Sequence, residues 1–370
     1  MIPWGFFDDS LVSLIVDEVN RYAEQAHQGT EKRWSTNTEK MRPYLGFMGI
    51  NRLPEIWDYW STNEYMHYSP ITDRITRDRF EQVRRYSTLR WQRNPYQREE
   101  SFSRLQKVDP IINVLKHNFQ AAYYPHCQLS IDKAMIPFKD WSWMTQCVPV
   151  SRCGQWPTHW MGTCTTSMST QGQVVTERRD WGKNVLTLAE SIKGRHHLYF
   201  DNYFSSISLL FEEYICMWHH PYQLQGVSLW ARLKQFNRGQ SCFRQCGNLV
   251  ATAWMVVNVV STLASPTDVI SVNRRQKDGT RIAVECPLCV AMYNQYMGGV
   301  DVGDQLWGYY HVHLKCTKNI IWFLFDVSVT NAYILYTFDV RTGTPMTLKQ
   351  FGMKLAEQLI GVKEVNRQTP

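Results

Sequence analysis

A chain of 370 residues in which 44% are apolar and 14% aromatic can bury a substantial core and form more than one domain, which excludes a disordered polypeptide. Its 40 Lys and Arg outnumber 33 Asp and Glu, for a net charge of +7 and a pI near 8.8; that balance suits a polyanionic partner without requiring one. No apolar run reaches the ~20 residues of a membrane-spanning helix. The most apolar block, residues 320–325, is ended by Asp326, so no membrane partner is expected.

From Phe6 to about Asn118 the pattern is helical. Leu11, Leu14, Ile15 and Val19 recur at helical spacing and predict one amphipathic face. Ile75, Phe80, Val83 and Tyr86 predict another helix, opened by Thr76 as N-cap. A third follows over Ile111, Ile112, Val114 and Leu115, with Pro110 in its first turn. Between Arg74 and Arg104 arginines crowd, Arg77, Arg79, Arg84 and Arg85 among them, with Tyr86, Trp91 and Tyr96 interleaved. Two readings stand here: a solvated helical face, or a phosphate-contacting surface with aromatics that stack on bases.

After Tyr123 the character changes to strand. Gln128–Met135 reads as a strand with Asp132 on the face opposite Ile131 and Lys133. Residues 141–170 have no clear period and no structure is predicted there. His197–Phe200 reads as a short apolar strand leading to Asp201, and residues 204–214 as a helix. Short β-like runs such as 256–260 follow, with a polar, basic turn at 273–280. Gly298-Gly299 precedes Asp301 and Asp304, and residues 309–336 read as an apolar helix.

The ten cysteines are scattered. No basic, leader-like segment precedes them, so reduced thiols are expected. Cys286 and Cys289 have zinc-knuckle spacing but lack a second close pair, and no zinc is predicted.

Three carboxylates from distant chain positions would make a site for Mg²⁺ or Mn²⁺, since hard cations take oxygen ligands. Two such ions can activate an attacking oxygen and stabilise a leaving one in phosphoryl transfer. Singly, each signal is ordinary: Asp132 as a turn residue, Asp201-Asn202 as an Asx turn, Asp301 and Asp304 as partners of a helix dipole.

Their sequence contexts resemble those of the piggyBac transposase family. The matching words are Leu129-Ser130-Ile131-Asp132-Lys133-Ala134-Met135-Ile136-Pro137, Tyr199-Phe200-Asp201-Asn202-Tyr203-Phe204, and Tyr296-Met297-Gly298-Gly299-Val300-Asp301-Val302-Gly303-Asp304-Gln305. Phe6-Phe7-Asp8-Asp9, Asp58-Tyr59-Trp60-Ser61, Ile75-Thr76-Arg77-Asp78-Arg79-Phe80 and Trp322-Phe323-Leu324-Phe325-Asp326-Val327 also match. The resemblance runs in blocks from Phe6 to Val362.

It implies an α/β protein: a helical dimerisation and DNA-binding region (1–122), then an RNase H-like catalytic domain, a mixed sheet flanked by helices. That domain would span 123–222 and 287–340, interrupted by an insertion (223–286) and followed by a linker or tail (341–370). By the resemblance Asp132, Asp201 and Asp301 are the catalytic, metal-holding triad, with Asp304 in support and two Mg²⁺ or Mn²⁺ ions as cofactors. Arg77, Arg79, Arg84, Arg85 and Lys315 are the candidate contacts to double-stranded DNA. The implied activity is cut-and-paste transposition by a nuclear homodimer: a nick at the element end, a hairpin formed by the freed 3′-hydroxyl, and joining at TTAA.

The chain departs from the family in places. Lys133 stands where an acidic residue is usual, Asp140-Trp141 where Gly-Arg is usual, and segments 142–175 and 215–230 lack the family pattern. No Cys- and His-rich cluster follows Ile360, so duplex binding with little sequence preference is expected. Two readings stay open from sequence: a metal-dependent transposase, or a non-catalytic, transposase-derived DNA-binding or chromatin-associated protein.

Overall fold

A computed structural model gives the fold. It describes residues 6, 8–28, 33–50, 56–63, 65–87, 109–123, 127–135, 147–153, 163–165, 197–200, 215–219, 239–255, 257–297, 305–306, 319–340 and 344–361.

The first layer is helical because its apolar residues recur at helical spacing and its capping residues stand where helices begin. α1 (Asp9–Ala26) starts at Asp8, whose carboxylate accepts the Leu11 amide at 2.9 Å, the usual satisfaction of a free first-turn donor. Its core stripe is Leu11, Val12, Val16, Val19 and Ala23. Leu14 and Ile15 are only partly buried, so the face is rotated from the one the sequence suggests, the β-branched Val12 and Val16 taking the inward side.

α2 (Thr38–Ile50) carries Pro43 inside it. A 3₁₀ turn (Ile56–Trp60), α3 (Ser69–Thr72), α4 (Arg77–Tyr86) and α5 (Asp109–Ala122) complete the amino-terminal set. Phe47 is their hub. Its ring lies 4.5 Å from Phe80, 4.8 Å from Tyr59 and 5.6 Å from Trp60. Burying a side chain of this size stabilises by about 1.5–3 kcal/mol, and edge-on ring pairs add about 0.5–1.5 kcal/mol.

The same core takes in the end of the chain. α7 (Asn319–Asp339) and α8 (Leu348–Ile360) contribute Trp322, Phe325, Val327, Phe351, Leu355 and Leu359 to it. Residues 341–370, expected as linker and tail, therefore contain a core helix. Phe351, Leu355 and Leu359 fall four apart and build its apolar stripe. A capping box between Thr347 and Gln350 opens α8, and Gly361 closes it with φ 76°, a left-handed conformation that glycine adopts freely. Arg74 donates to the Gly361 carbonyl at 2.9 Å. α8 crosses α2 at Gly46, where a Cβ would lie 2.9 Å from Ala356 O, Leu359 Cβ and Ile360 Cγ1.

Beside this layer stands an eight-stranded mixed sheet of order β3-β2-β1-β4-β5-β8-β7-β6. β1 (Gln128–Met135) pairs antiparallel with β2 (Cys147–Cys153), and β2 likewise with β3 (Thr163–Thr165). On its other side β1 pairs parallel with β4 (His197–Phe200), and β4 parallel with β5 (Ile215–His219). β6 (Ser241–Cys246), β7 (Leu249–Trp254) and β8 (Val257–Ser261) form an antiparallel meander that joins β5 through β8.

β9 (Val269–Arg275) and β10 (Arg281–Pro287) make a separate hairpin. Its turn is held by Gly279 at φ 88° and by the Asp278 carboxylate, which accepts from Thr280 N at 2.9 Å and Oγ1 at 2.7 Å. α6 (Leu288–Tyr296) packs over the sheet in a second core of Tyr199, Trp254, Val259, Val284, Cys286 and Val290. Cys286 and Cys289 are both buried in this core. Burial pushes the Cys286 thiol up to about 11, against the opposing charge of Arg274, and raises the Cys289 thiol as well. Among the described residues no three His, Cys, Asp or Glu gather as a metal site.

Two outcomes are expected. Gly46→Ala should lose about 1–3 kcal/mol in chemical denaturation through overpacking, while Gly352→Ala, with nothing within 4 Å of the added Cβ, should lose none and gain up to about 1 kcal/mol. At pH 8 iodoacetamide should label exposed Cys127 and Cys246 well before Cys286. A raised thiol pKa leaves little thiolate at that pH, and Cys286 labelling should climb as pH approaches 11.

Candidate nucleic-acid interface

The strands that carry two of the candidate aspartates are neighbours. β1 and β4 run parallel in the register Gln128–His197, Leu129–Leu198, Ser130–Tyr199 and Ile131–Phe200. Asp132 is the next residue of β1, where it pairs with Val150 of β2. β4 ends at Phe200. Asp201, which follows it, lies outside the described residues, as do Asp301, Asp304 and Lys315.

The entrance to this strand pair is locked by a polar chain. Tyr199 donates its hydroxyl to Gln128 Oε1 at 2.6 Å, and Gln128 Nε2 lies 3.0 Å from His197 Nδ1. Burial, with Tyr296 and Cys127 nearby, raises the Tyr199 phenol above its ordinary value, which keeps it a donor. Tyr296, the last residue of α6, sets its ring 5.1 Å from Tyr199. The C-terminal end of α6, which leads to Gly298 and Asp301, is thereby held over β4.

The basic surface is built on α4. Thr76 caps it, accepting from the Arg79 amide at 3.3 Å, and Asp78 in the first turn with Arg84 and Arg85 in the last complement the helix dipole. Phe80, Val83 and Tyr86 face the core. Arg77 and Arg84 lie 4.9 and 5.8 Å from the ring centroid of one aromatic, Trp57, so the 3₁₀ turn braces two cations at once. Arg77 and Arg85 are exposed and Arg84 is half-buried.

Arg79 differs from its neighbours. Its guanidinium donates to Ser35 O at 2.6 Å and to Gln82 Oε1 at 3.4 Å, and lies 4.9 Å from the Trp34 ring centroid. Its burial lowers its pKa. Trp34 in turn donates to Gln82 at 2.9 Å and packs 4.4 Å from the Tyr86 ring. Arg79 therefore anchors the segment before α2 onto α4.

That segment is a feature the sequence reading missed. Asn37 caps α2, accepting from the Lys40 amide at 3.1 Å, and an Asn directly before an apolar helix was the available signal. Between the starts of α2 and α4 lies a cleft of about 560 Å³.

The family model described as Transposase IS4 matches residues 5–333. Human PiggyBac transposable element-derived protein 3 is 26% identical over 372 residues, which cover 91% of this chain and 61% of that protein. Human PiggyBac transposable element-derived protein 2 is 24% identical over 375 residues, 90% of this chain and 60% of that protein. The chain thus spans less than two thirds of the length of these curated relatives. A cryo-EM structure of a piggyBac transposase synaptic complex with hairpin DNA shares the fold at TM-score 0.70 and 18% identity, over 96% of this chain and 78% of that one. Among the described residues no helix is long and apolar enough to cross a membrane.

Arg79→Ala should lower stability by about 1.5–3 kcal/mol, the range for hydrogen bonds made by charged groups. Arg77→Ala, which loses an exposed cation–π contact, should lose about 1 kcal/mol or less. Urea midpoints of the two variants check this.

Proposed function

The chain belongs to the piggyBac transposase family, and from that membership we propose that it is a transposase-derived protein built for DNA strand cleavage and transfer by three aspartates. The parallel register of β1 with β4 carries the reading: after Ile131 and Phe200 pair, Asp132 is the next residue of β1, and Asp201 is the residue that follows Phe200 in the sequence. The mixed sheet, with β4 and β5 parallel to β1 and β2 antiparallel, supports an RNase H-like catalytic domain over 123–222 and 287–340. Residues 223–286 are the insertion in this reading, and β8 pairing with β5 makes its strands an extension of the sheet.

Asp132, Asp201 and Asp301 would hold the cofactor, with Asp304 in support. An all-carboxylate donor set fits hard divalent cations, and Mg²⁺ or Mn²⁺, when bound, supplies activation of the attacking oxygen and stabilisation of the leaving one. The described part of that arrangement is Asp132 on β1, and strands hold ligands better than loops do. Arg77, Arg84, Arg85 and Lys315 would contact duplex phosphates, with Arg79 positioning the surface. The hairpin DNA named with the structural neighbour supports that partner. Cleavage at TTAA, a homodimer and a nuclear site of action follow from the family.

One observation favours a second reading, a non-catalytic DNA-binding protein. Lys133 follows Asp132 directly on β1, at a position where an acidic residue is usual in the family. Thermal stability with and without Mn²⁺ separates the two. The transposase reading expects a rise of roughly 2.7 kcal/mol at about a hundredfold excess over the dissociation constant, lost in both Asp132→Asn and Asp301→Asn. Wild-type protein that nicks supercoiled plasmid no faster than Asp201→Asn, and gains nothing from Mn²⁺, would assign the chain to the second reading.

A further inference from the structure

The cleft between the starts of α2 and α4 is lined by Thr36, Asn37, Lys40, Arg74, Thr76 and Arg79, and by Asp73. Three cations thus face it against a single carboxylate. Arg74 and Arg79 are held in place by the Gly361 and Ser35 carbonyls. Carbonyl acceptors orient a guanidinium without neutralising it, and each guanidinium has five donors, several left to offer. Lys40 is exposed and makes no ion pair among the described residues.

Two helices open on the same space. Asn37 caps α2 and Thr76 caps α4, so the positive ends of two dipoles converge there. An independent observation points to a ligand. Thr36 is 7% exposed, and its Oγ1 has no hydrogen-bond partner among the described residues. Its backbone is fixed by Asn20, which accepts from Thr36 N at 2.7 Å and donates to Thr36 O at 2.9 Å. Thr36 lines the cleft, and these bonds hold its backbone there. Buried polar groups are nearly always paired, and a donor left over beside three cations is suited to an anionic oxygen.

We propose that this cleft is a phosphate-binding site, in which Thr36 Oγ1 and Lys40 donate to phosphate oxygens while Arg74 and Arg79 supply fixed charge. Its natural source is the backbone of duplex DNA, an assignment that rests on the DNA-binding reading above. A volume of about 560 Å³ admits a phosphodiester with its flanking sugars. Because phosphate contacts position a protein without reading bases, the site sets register on the duplex and adds no sequence preference.

The test uses the full chain, a short fluorescent duplex over a salt series, and inorganic phosphate in thermal-shift titrations. Thr36→Val keeps the shape and removes the hydroxyl. It should be at least as stable as wild type without ligand, since it deletes an unpaired buried group, yet bind duplex about tenfold more weakly. Thr36→Ser should restore binding. Lys40→Gln should lower the slope of log affinity against log salt by about one. Loss of duplex binding in both Thr36→Val and Lys40→Gln assigns the site to the DNA backbone. Phosphate-dependent stabilisation lost in both variants, with no duplex binding by wild type, keeps the phosphate site and overturns the DNA-binding reading. Wild-type affinity and salt slope in both variants, with no effect of phosphate on any of them, overturns the proposal.

Discussion

The parallel pairing of β1 with β4 is the constraint on which the rest of the architecture turns. Parallel neighbours cannot be joined by a tight turn and need a crossover of a dozen residues or more. Here β2 and β3 fold back antiparallel along one side of β1, which leaves the opposite side for β4. β5 then adds in the same direction, and its free edge receives β8 in antiparallel sense. Once Ile131 and Phe200 are paired, a one-residue slip would exchange the two faces of the strand. Register here fixes which side chains meet the core.

Around that pairing, Asp132 stands on β1, whose backbone position is set by ladders on both sides. Cations are placed on α4 and the segments before it, where aromatic planes steady them: Trp57 beneath Arg77 and Arg84, Trp34 beneath Arg79. An aromatic face holds a guanidinium by its quadrupole without neutralising its charge, as a carboxylate would.

Local signals were legible in the sequence. Gln128–Met135 and His197–Phe200 are strands with the predicted bounds: the first alternates polar and apolar residues from Gln128 to Asp132, and the second is a short apolar run after His197. Thr76 caps α4, as a hydroxyl before a helical stripe should. β2 and β3 were not legible: Cys147–Cys153 and Thr163–Thr165 have no clean alternation, and the pairing of β2 with β1 and of β3 with β2 supplies what propensity does not. α8 was passed over although Phe351, Leu355 and Leu359 carry a helical period. At the candidate site, sequence brought forward the arginines but could not separate them by role. Arg79 is engaged through Ser35, a partner 44 residues away, and such partnerships exist only in three dimensions. Asp201, Asp301, Asp304 and Lys315 lie outside the described residues.

The helical core drawn from both ends of the sequence bears on how the protein is made. α2 lies against α8 with no Cβ between them at Gly46, and Phe47 has its aromatic neighbours in place long before α7 and α8 exist. On the ribosome, at ~5–20 residues per second, the amino-terminal helices must wait some tens of seconds while the whole sheet is synthesised. During that interval the groove at Gly46 is an open apolar seam, and α8 is the last described element to arrive. The seam therefore closes only after the last described helix is made. Arg74 then fastens the lock from the amino-terminal side by reaching the carbonyl of Gly361.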